Sequence, residues 1–166
     1  IPVLTEPELA YEVSEAQWVS VTGSNGKTTT TTLITLMLDE NSTQGHAYAA
    51  GNIGIPLSAV AQKVTAADVM VTELSSFQLL GTTTVKPKIA VLTNIYEAHL
   101  DYHGSRANYV AAKMRLIQNQ TADDFFVVNW DLPELRELSR QTKAQVVPFS
   151  RLGNSEAGAY VKDGQL

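Results

Sequence analysis

The sequence predicts an α/β fold: a mostly parallel sheet with helices on both faces, of the P-loop-containing, nucleotide-binding kind. Three observations carry this. Short runs that are apolar throughout, such as Val69-Met70-Val71 and Ile89-Ala90-Val91-Leu92, alternate with helix-like segments, the pattern of strands covered on both faces. A glycine-bearing loop, Gly23-Ser24-Asn25-Gly26-Lys27-Thr28-Thr29, joins the first such run to a helix. Polar residues collect where the runs end, at Glu73, Asn94, Asn129 and Asp131, and in parallel sheets ligands bind beyond the carboxyl ends of the strands.

Taken in order, Thr5-Glu6-Pro7-Glu8 has the spacing of a capping box with proline in the first turn, and predicts a short helix to about Ser14. Trp18 to Val21 is the first strand. The next helix opens with five threonines, Thr28 to Thr32, which are mediocre helix formers, so their hydroxyls or a tightly packed first turn must matter. Leu33, Ile34, Leu36, Met37 and Leu38 are expected to form its buried side. Gly45 to Gly54 reads as a loop, Ile55 to Val64 as a helix, and Asp68 to Leu74 and Lys88 to Thr93 as strands. Tyr109, Ala112 and Leu116 give Ser105 to Gln118 a helical period. A strand at Phe125 to Asn129, a helix at Leu132 to Arg140 and a strand at Gln145 to Phe149 follow. The last residues read as a hairpin turn opening into a strand, and both ends look cut from a larger protein.

Composition narrows the function. The 166 residues suit one domain, and 44% hydrophobic content allows a substantial core. Twelve basic and seventeen acidic residues, with no basic cluster, argue against nucleic acid as a partner. The chain has no cysteine, so disulfides and thiolate metal sites are excluded, which fits a cytoplasmic protein. No apolar run approaches membrane-spanning length.

The glycine loop points to a nucleoside triphosphate. A turn between strand and helix aims backbone N–H groups at one spot, and the helix N-terminus adds partial positive charge. Lys27 can reach the terminal phosphates and Thr28 can hold Mg²⁺. The loop is short: Val21 stands where the usual spacing has its first glycine. A cation at a helix start is unfavourable unless an anion binds there. Glu73, at a strand end, is a candidate Mg²⁺ ligand or else a helix cap. Ser75 and Gln78 suit either substrate contact or helix-cap chemistry. His99 lies in a loop after a strand and is a candidate for metal or substrate, whereas Asp101 and His103 are expected to hold that loop. Lys113 sits among Ala111, Ala112 and Met114. It either snorkels to water or is buried with a lowered pKa, in which case its neutral amine can react with CO₂ to form a metal-binding carbamate.

Five blocks together, GSNGKTT, GNIGIP (51–56), ELSSFQL (73–79), TNIYEAHLDYHG (93–104) and NYVAAK (108–113), resemble the central ATPase domain of the Mur ligases over nearly the whole chain. The ELSSFQL and HLDYHG wording is most similar to family members that add D-glutamate to UDP-N-acetylmuramoyl-L-alanine. The resemblance implies that residues 1–15 link from a missing N-terminal UDP-binding domain and that 16–166 are the ATP-binding domain, with a C-terminal domain also missing. It implies ATP, two Mg²⁺ sites and a carbamylated lysine, and an amide-forming reaction through an acyl phosphate. Gly23, Ser24, Asn25, Gly26, Lys27, Thr28 and Thr29 then hold the phosphates. Thr28 and Glu73 take the first metal, and His99 with carbamylated Lys113 takes the second. Asn52, Ser75 and Gln78, with His99, face the substrate, and Asn129 and Asp131 lie near adenine, with Trp130 where the family has a small residue. Another Mur ligase or a folylpolyglutamate synthase shares these features. A GTPase-like switch module predicts an N-K-x-D segment, which is not found.

Overall fold

The computed structural model describes residues 3–153 and 157–165. Ile1, Pro2 and Leu166, which belong to the expected linker and to the closing strand, lie outside the described residues. Among the described residues, seven strands form one sheet in the order β2-β3-β1-β4-β5-β6-β7, and each pairing within it is parallel. They are β1 (Gln17–Thr22), β2 (Ala47–Gly51), β3 (Val69–Glu73), β4 (Ile89–Leu92), β5 (Phe125–Asn129), β6 (Gln145–Ser150) and β7 (Ala159–Tyr160). The helices are α1 (Glu6–Val13), α2 (Lys27–Asn41), α3 (Leu57–Ala61), α4 (Ser76–Leu80), α5 (Leu100–His103), α6 (Arg106–Met114, continued by a 3₁₀ turn at Arg115–Ile117) and α7 (Pro133–Ser139). The chain crosses over β3 to build β2 and then returns past β1 to β4. The switch point therefore lies beside β1, and the glycine loop leaves β1 there.

Strand alternation sorts the core into two layers. Trp18, Met70, Ala90, Phe126 and Val128 pack with Ala10, Leu57, Leu79, Tyr109, Leu116 and Leu135 from the helices on one face. Val19, Val21, Val71 and Val91 face the other way, against α2 through Ile34. On that second face α2 reaches only part of the sheet. Val19, Ile89, Val91, Val127 and Phe149 line an apolar groove beside Ile34 and Leu38. This corrects the expected burial of α2: Leu33, Leu36, Met37 and Leu38 are all exposed, and the buried residue of the helix is Thr31. The threonines, being small, let the first turns of α2 lie close to the sheet.

Other differences have local causes. The capping box at Thr5 does not form, because Thr5 Oγ1 donates to the Gly81 carbonyl instead. Glu8 turns inward and is almost completely buried. Its carboxylate accepts from the backbone N–H groups of Thr83, Thr84 and Val85 and from the Thr83 and Thr84 hydroxyls. The segment read as a loop at 45–54 contains edge strand β2, whose small residues hide its pattern. The predicted helix over 55–64 shrinks to Leu57–Ala61, α4 is the helix implied by the cap alternative at Glu73 to Gln78, and α5 and β7 are additional elements. At the chain end Lys162 and Gln165 form an antiparallel bridge across a tight turn.

Candidate functional site

The site forms at the carboxyl ends of β1, β3 and β4. The loop leaves β1 at Gly23, where φ is 154° and an added Cβ would sit 2.0 Å from Thr93 Oγ1, so only glycine lets the loop lie against the end of β4. Helix α2 then begins at Lys27, with Gly26 as its left-handed cap. The N–H groups of its first turn have no carbonyl four residues back to bond, and no acidic side chain occupies that turn. These donors and the helix dipole are free for an anion. Lys27 Nζ donates to the Ser24 carbonyl at 3.2 Å, which holds the ammonium beside the same mouth.

Glu73, at the end of β3, is 1% exposed. Thr28 Oγ1 donates to its Oε2 at 2.8 Å and Asn52 Nδ2 donates to its Oε1 at 2.9 Å. Both partners are neutral, so the buried carboxylate is bonded but carries no counter-charge from them, a setting suited to a cation. Asn52 reaches it because Gly51 pairs with Glu73 across the sheet edge, in a conformation (φ 103°) where a Cβ would sit 2.3 Å from the Glu73 carbonyl oxygen. Asn52, expected at the substrate end, is thus tied to the candidate metal ligand.

Lys113, near the end of α6, is buried at 2% exposure, so the snorkelling alternative does not hold. Its Nζ donates to the Gly23 carbonyl at 2.9 Å and lies 4.7 Å from the centre of the Tyr109 ring. Burial, and secondarily the charge of Lys27, lower its pKa to about 7. His99 is exposed and holds a left-handed backbone (φ 56°) at the start of α5, an uncommon conformation for a non-glycine residue. Its ring packs against Phe77 and Tyr109. The Tyr109 ring therefore has both His99 and Lys113 as neighbours. His103 does hold the loop, as expected: it is buried, its Nε2 is 3.0 Å from Ser76 Oγ, and burial lowers its pKa.

Ser75 and Gln78 form a capping box at the start of α4: Ser75 Oγ accepts from the Gln78 N–H, and Gln78 Oε1 accepts from the Ser75 N–H. The helix-cap alternative is realised, and it sets both side chains at the rim next to Glu73. Asn129 Nδ2 donates to the Thr93 carbonyl at 3.3 Å, and the Asp131 carboxylate accepts from Ser150 Oγ and from the N–H groups of Arg151 and Leu152. These two residues stitch strand ends together. Among the described residues no three His, Cys, Asp or Glu side chains gather into a metal cage. Mg²⁺ in nucleotide sites commonly takes one or two protein ligands and fills the rest with phosphate and water.

Sequence reasoning passed over two residues that shape the site. Asn94, in the sequence one of several polar residues at strand ends, binds the glycine loop through both its side chain and its backbone. Tyr109 is a core position by the period of its helix, and its hydroxyl lies 2.9 Å from Ser24 Oγ. Hydrophobic periodicity cannot report a hydroxyl at the tip of a buried ring.

Comparison with known proteins fits this geometry. The chain is 86% identical over its whole length to the UDP-N-acetylmuramoylalanine--D-glutamate ligase of Latilactobacillus sakei, of which it covers 37%. It is 66% identical, again over its whole length, to the ligase of the same name from Ligilactobacillus salivarius, covering 36% of that protein. The chain thus spans little more than a third of the relatives it matches. Among solved structures, the MurF ligase of Thermotoga maritima in complex with ADP superposes with a TM-score of 0.70 over 89% of this chain and 36% of its own, at 23% identity. The E.coli FolC in complex with DHPP and ADP gives 0.57 over 90% of this chain and 47% of its own, at 18% identity. Those two likenesses concern the fold. Residues 21–165 match the Mur ligase middle domain, and the chain belongs to the Mur ligase family.

Proposed function

We propose that this chain is the nucleotide-binding part of a ligase that joins D-glutamate to UDP-N-acetylmuramoyl-L-alanine at the expense of ATP, a cytoplasmic step of bacterial peptidoglycan precursor synthesis. The observation that carries the proposal is the buried Glu73 carboxylate, bonded by Thr28 at the open mouth of α2. It joins a cation-seeking group to an anion-seeking helix end. The choice of D-glutamate rests on the relatives, all of which span more chain than is present here.

In this reading ATP supplies the phosphoryl group that activates the substrate carboxylate as an acyl phosphate, and two Mg²⁺ ions supply the charge that lets two anions meet. The first-turn amides of α2 and Lys27 orient the polyphosphate; such positioning and charge screening account for most of the catalysis in phosphoryl transfer. Thr28 and Glu73 hold the first metal. His99 and the carbamate of Lys113 hold the second, an assignment supported by the burial and lowered pKa of Lys113. Asn52, Ser75 and Gln78 line the acceptor side, and Asn129 and Asp131 the adenine side. The remaining domains of the full-length protein bring the acceptor and close the site.

The test is ADP release by the full-length enzyme with UDP-N-acetylmuramoyl-L-alanine and, in turn, D-glutamate, L-lysine and meso-diaminopimelate. Turnover is expected with D-glutamate, while the 166-residue chain alone makes no product. Failure of D-glutamate to support turnover ends the assignment.

A further inference from the structure

We infer that Asn94 is a positioning residue that sets the direction of a phosphate-binding amide in the glycine loop. The inference rests on the reading of that loop as a polyphosphate site. Asn94 stands just past the end of β4. Its Oδ1 accepts from the N–H groups of Ser24 (3.1 Å) and Asn25 (2.9 Å), and its backbone carbonyl also accepts from Ser24 (3.0 Å). Its Nδ2 donates to the Asn25 carbonyl at 3.0 Å, where Thr93 Oγ1 donates as well at 2.9 Å. One side-chain amide thus holds both the N–H and the C=O of Asn25.

The consequence follows from peptide geometry. In a planar trans peptide the C=O of Asn25 and the N–H of Gly26 point in opposite directions. With the carbonyl fastened to the end of β4, the Gly26 N–H is turned away from the strand, to the side of the loop where α2 opens. Gly26 itself does not enforce this choice. Gly26 adopts φ 78° and ψ 2°, and no atom lies within 4 Å of where its Cβ would be. Glycine tolerates either orientation of that peptide. The donors from Asn94 and Thr93 are what select the orientation. A flipped peptide presents the Asn25 carbonyl oxygen to the phosphates in place of an N–H, exchanging attraction for repulsion.

The test uses the full-length protein and three probes in calorimetry: MgATP, inorganic tripolyphosphate with Mg²⁺, and UDP-N-acetylmuramoyl-L-alanine. In Asn94→Ala the two polyphosphates are expected to bind about 10- to 50-fold more weakly, the range for losing two or three net hydrogen bonds, with the UDP-sugar within twofold of wild type. Thr93→Val, which removes one of the two donors to Asn25, shifts both polyphosphates in the same direction by about two- to fivefold. The steady-state effect falls on the KM for ATP more than on kcat. If Asn94→Ala binds all three probes like wild type, the inference is wrong. If it loses all three equally, the residue is merely structural and the inference is also wrong. Should Asn94→Ala not fold, Thr93→Val decides, and unchanged polyphosphate binding in it overturns the idea. Wild-type protein that binds neither polyphosphate overturns the nucleotide reading itself, a result distinct from wild-type binding that survives Asn94→Ala.

Discussion

Lys113 offers the most direct test of the electrostatics. Its Nζ is enclosed by α6, the Tyr109 ring and the Gly23 carbonyl, with the Lys27 ammonium as a like charge nearby. Burial first, and Lys27 second, bring its pKa from 10.5 to about 7. At pH 7.5 about three-quarters of such a lysine is neutral amine, against about 0.1% for an exposed lysine. Only the neutral amine reacts with CO₂, so the reactive pool rises by several hundredfold. The shift also acts on stability. Between about pH 7 and 10.5 the unfolded chain binds more protons than the folded one at this site, so stability rises with pH across that window, and below about 7 the cost of the buried charge is felt in full. The limiting cost is roughly 5 kcal/mol, an upper figure for an interior that can relax. The assay is NMR of full-length enzyme with ¹³C at the lysine ε-carbons, the Lys113 signal being assigned by its loss in Lys113→Arg. Titration near 7 is expected, with an upward move in Lys27→Met and a carbamate signal on adding ¹³CO₂. A Lys113 that titrates near 10.5 would refute the reasoning from burial.

Three further outcomes are expected. Asn52→Ala frees Glu73 Oε1 and should raise several-fold the Mg²⁺ concentration for half-maximal activity; a change confined to the KM for the UDP-sugar would make Asn52 a substrate contact alone. Glu8→Ala strips the acceptor from three backbone N–H groups and should cost about 3 kcal/mol, visible as lost hydrogen-exchange protection at residues 83–85. Burial raises the pKa of Glu8 but the hydrogen bonds outweigh it, so this contribution is present above its ordinary value of 4.5 and is lost as pH falls below it. Tyr109→Phe removes the hydroxyl beside Ser24 and should raise the KM for ATP about two- to fivefold while ¹³CO₂ labelling of Lys113 persists; loss of that labelling would show that the hydroxyl, not the ring, maintains the lysine's setting.

Local chemistry determined much of this protein from the sequence alone. Apolar runs bounded by polar residues located β3, β4 and β5, because inner strands of a parallel sheet packed under helices are apolar along most of their length. The glycine loop was legible because a strand, a tight turn and a helix leave a short-range signature, and Glu73, His99 and Lys113 stood out as charged or titratable groups in apolar or strand-end settings. What the tertiary structure alone decided were choices between partners distant in sequence. Thr5 and Glu8 had the spacing of a cap, but Gly81 and the 83–85 backbone compete for them. The leucines of α2 had the composition of a buried face, yet the helix lies on the sheet through Thr31 and Ile34, and that depends on which strands it crosses. Whether Lys113 reached water depended on Gly23, ninety residues earlier in the chain. Asn94 was one strand-end amide among several until the fold brought β1 and β4 side by side. Propensity and periodicity act over a few residues. Burial and hydrogen bonding at a site are set by whichever groups the topology brings together, and only the folded chain specifies those.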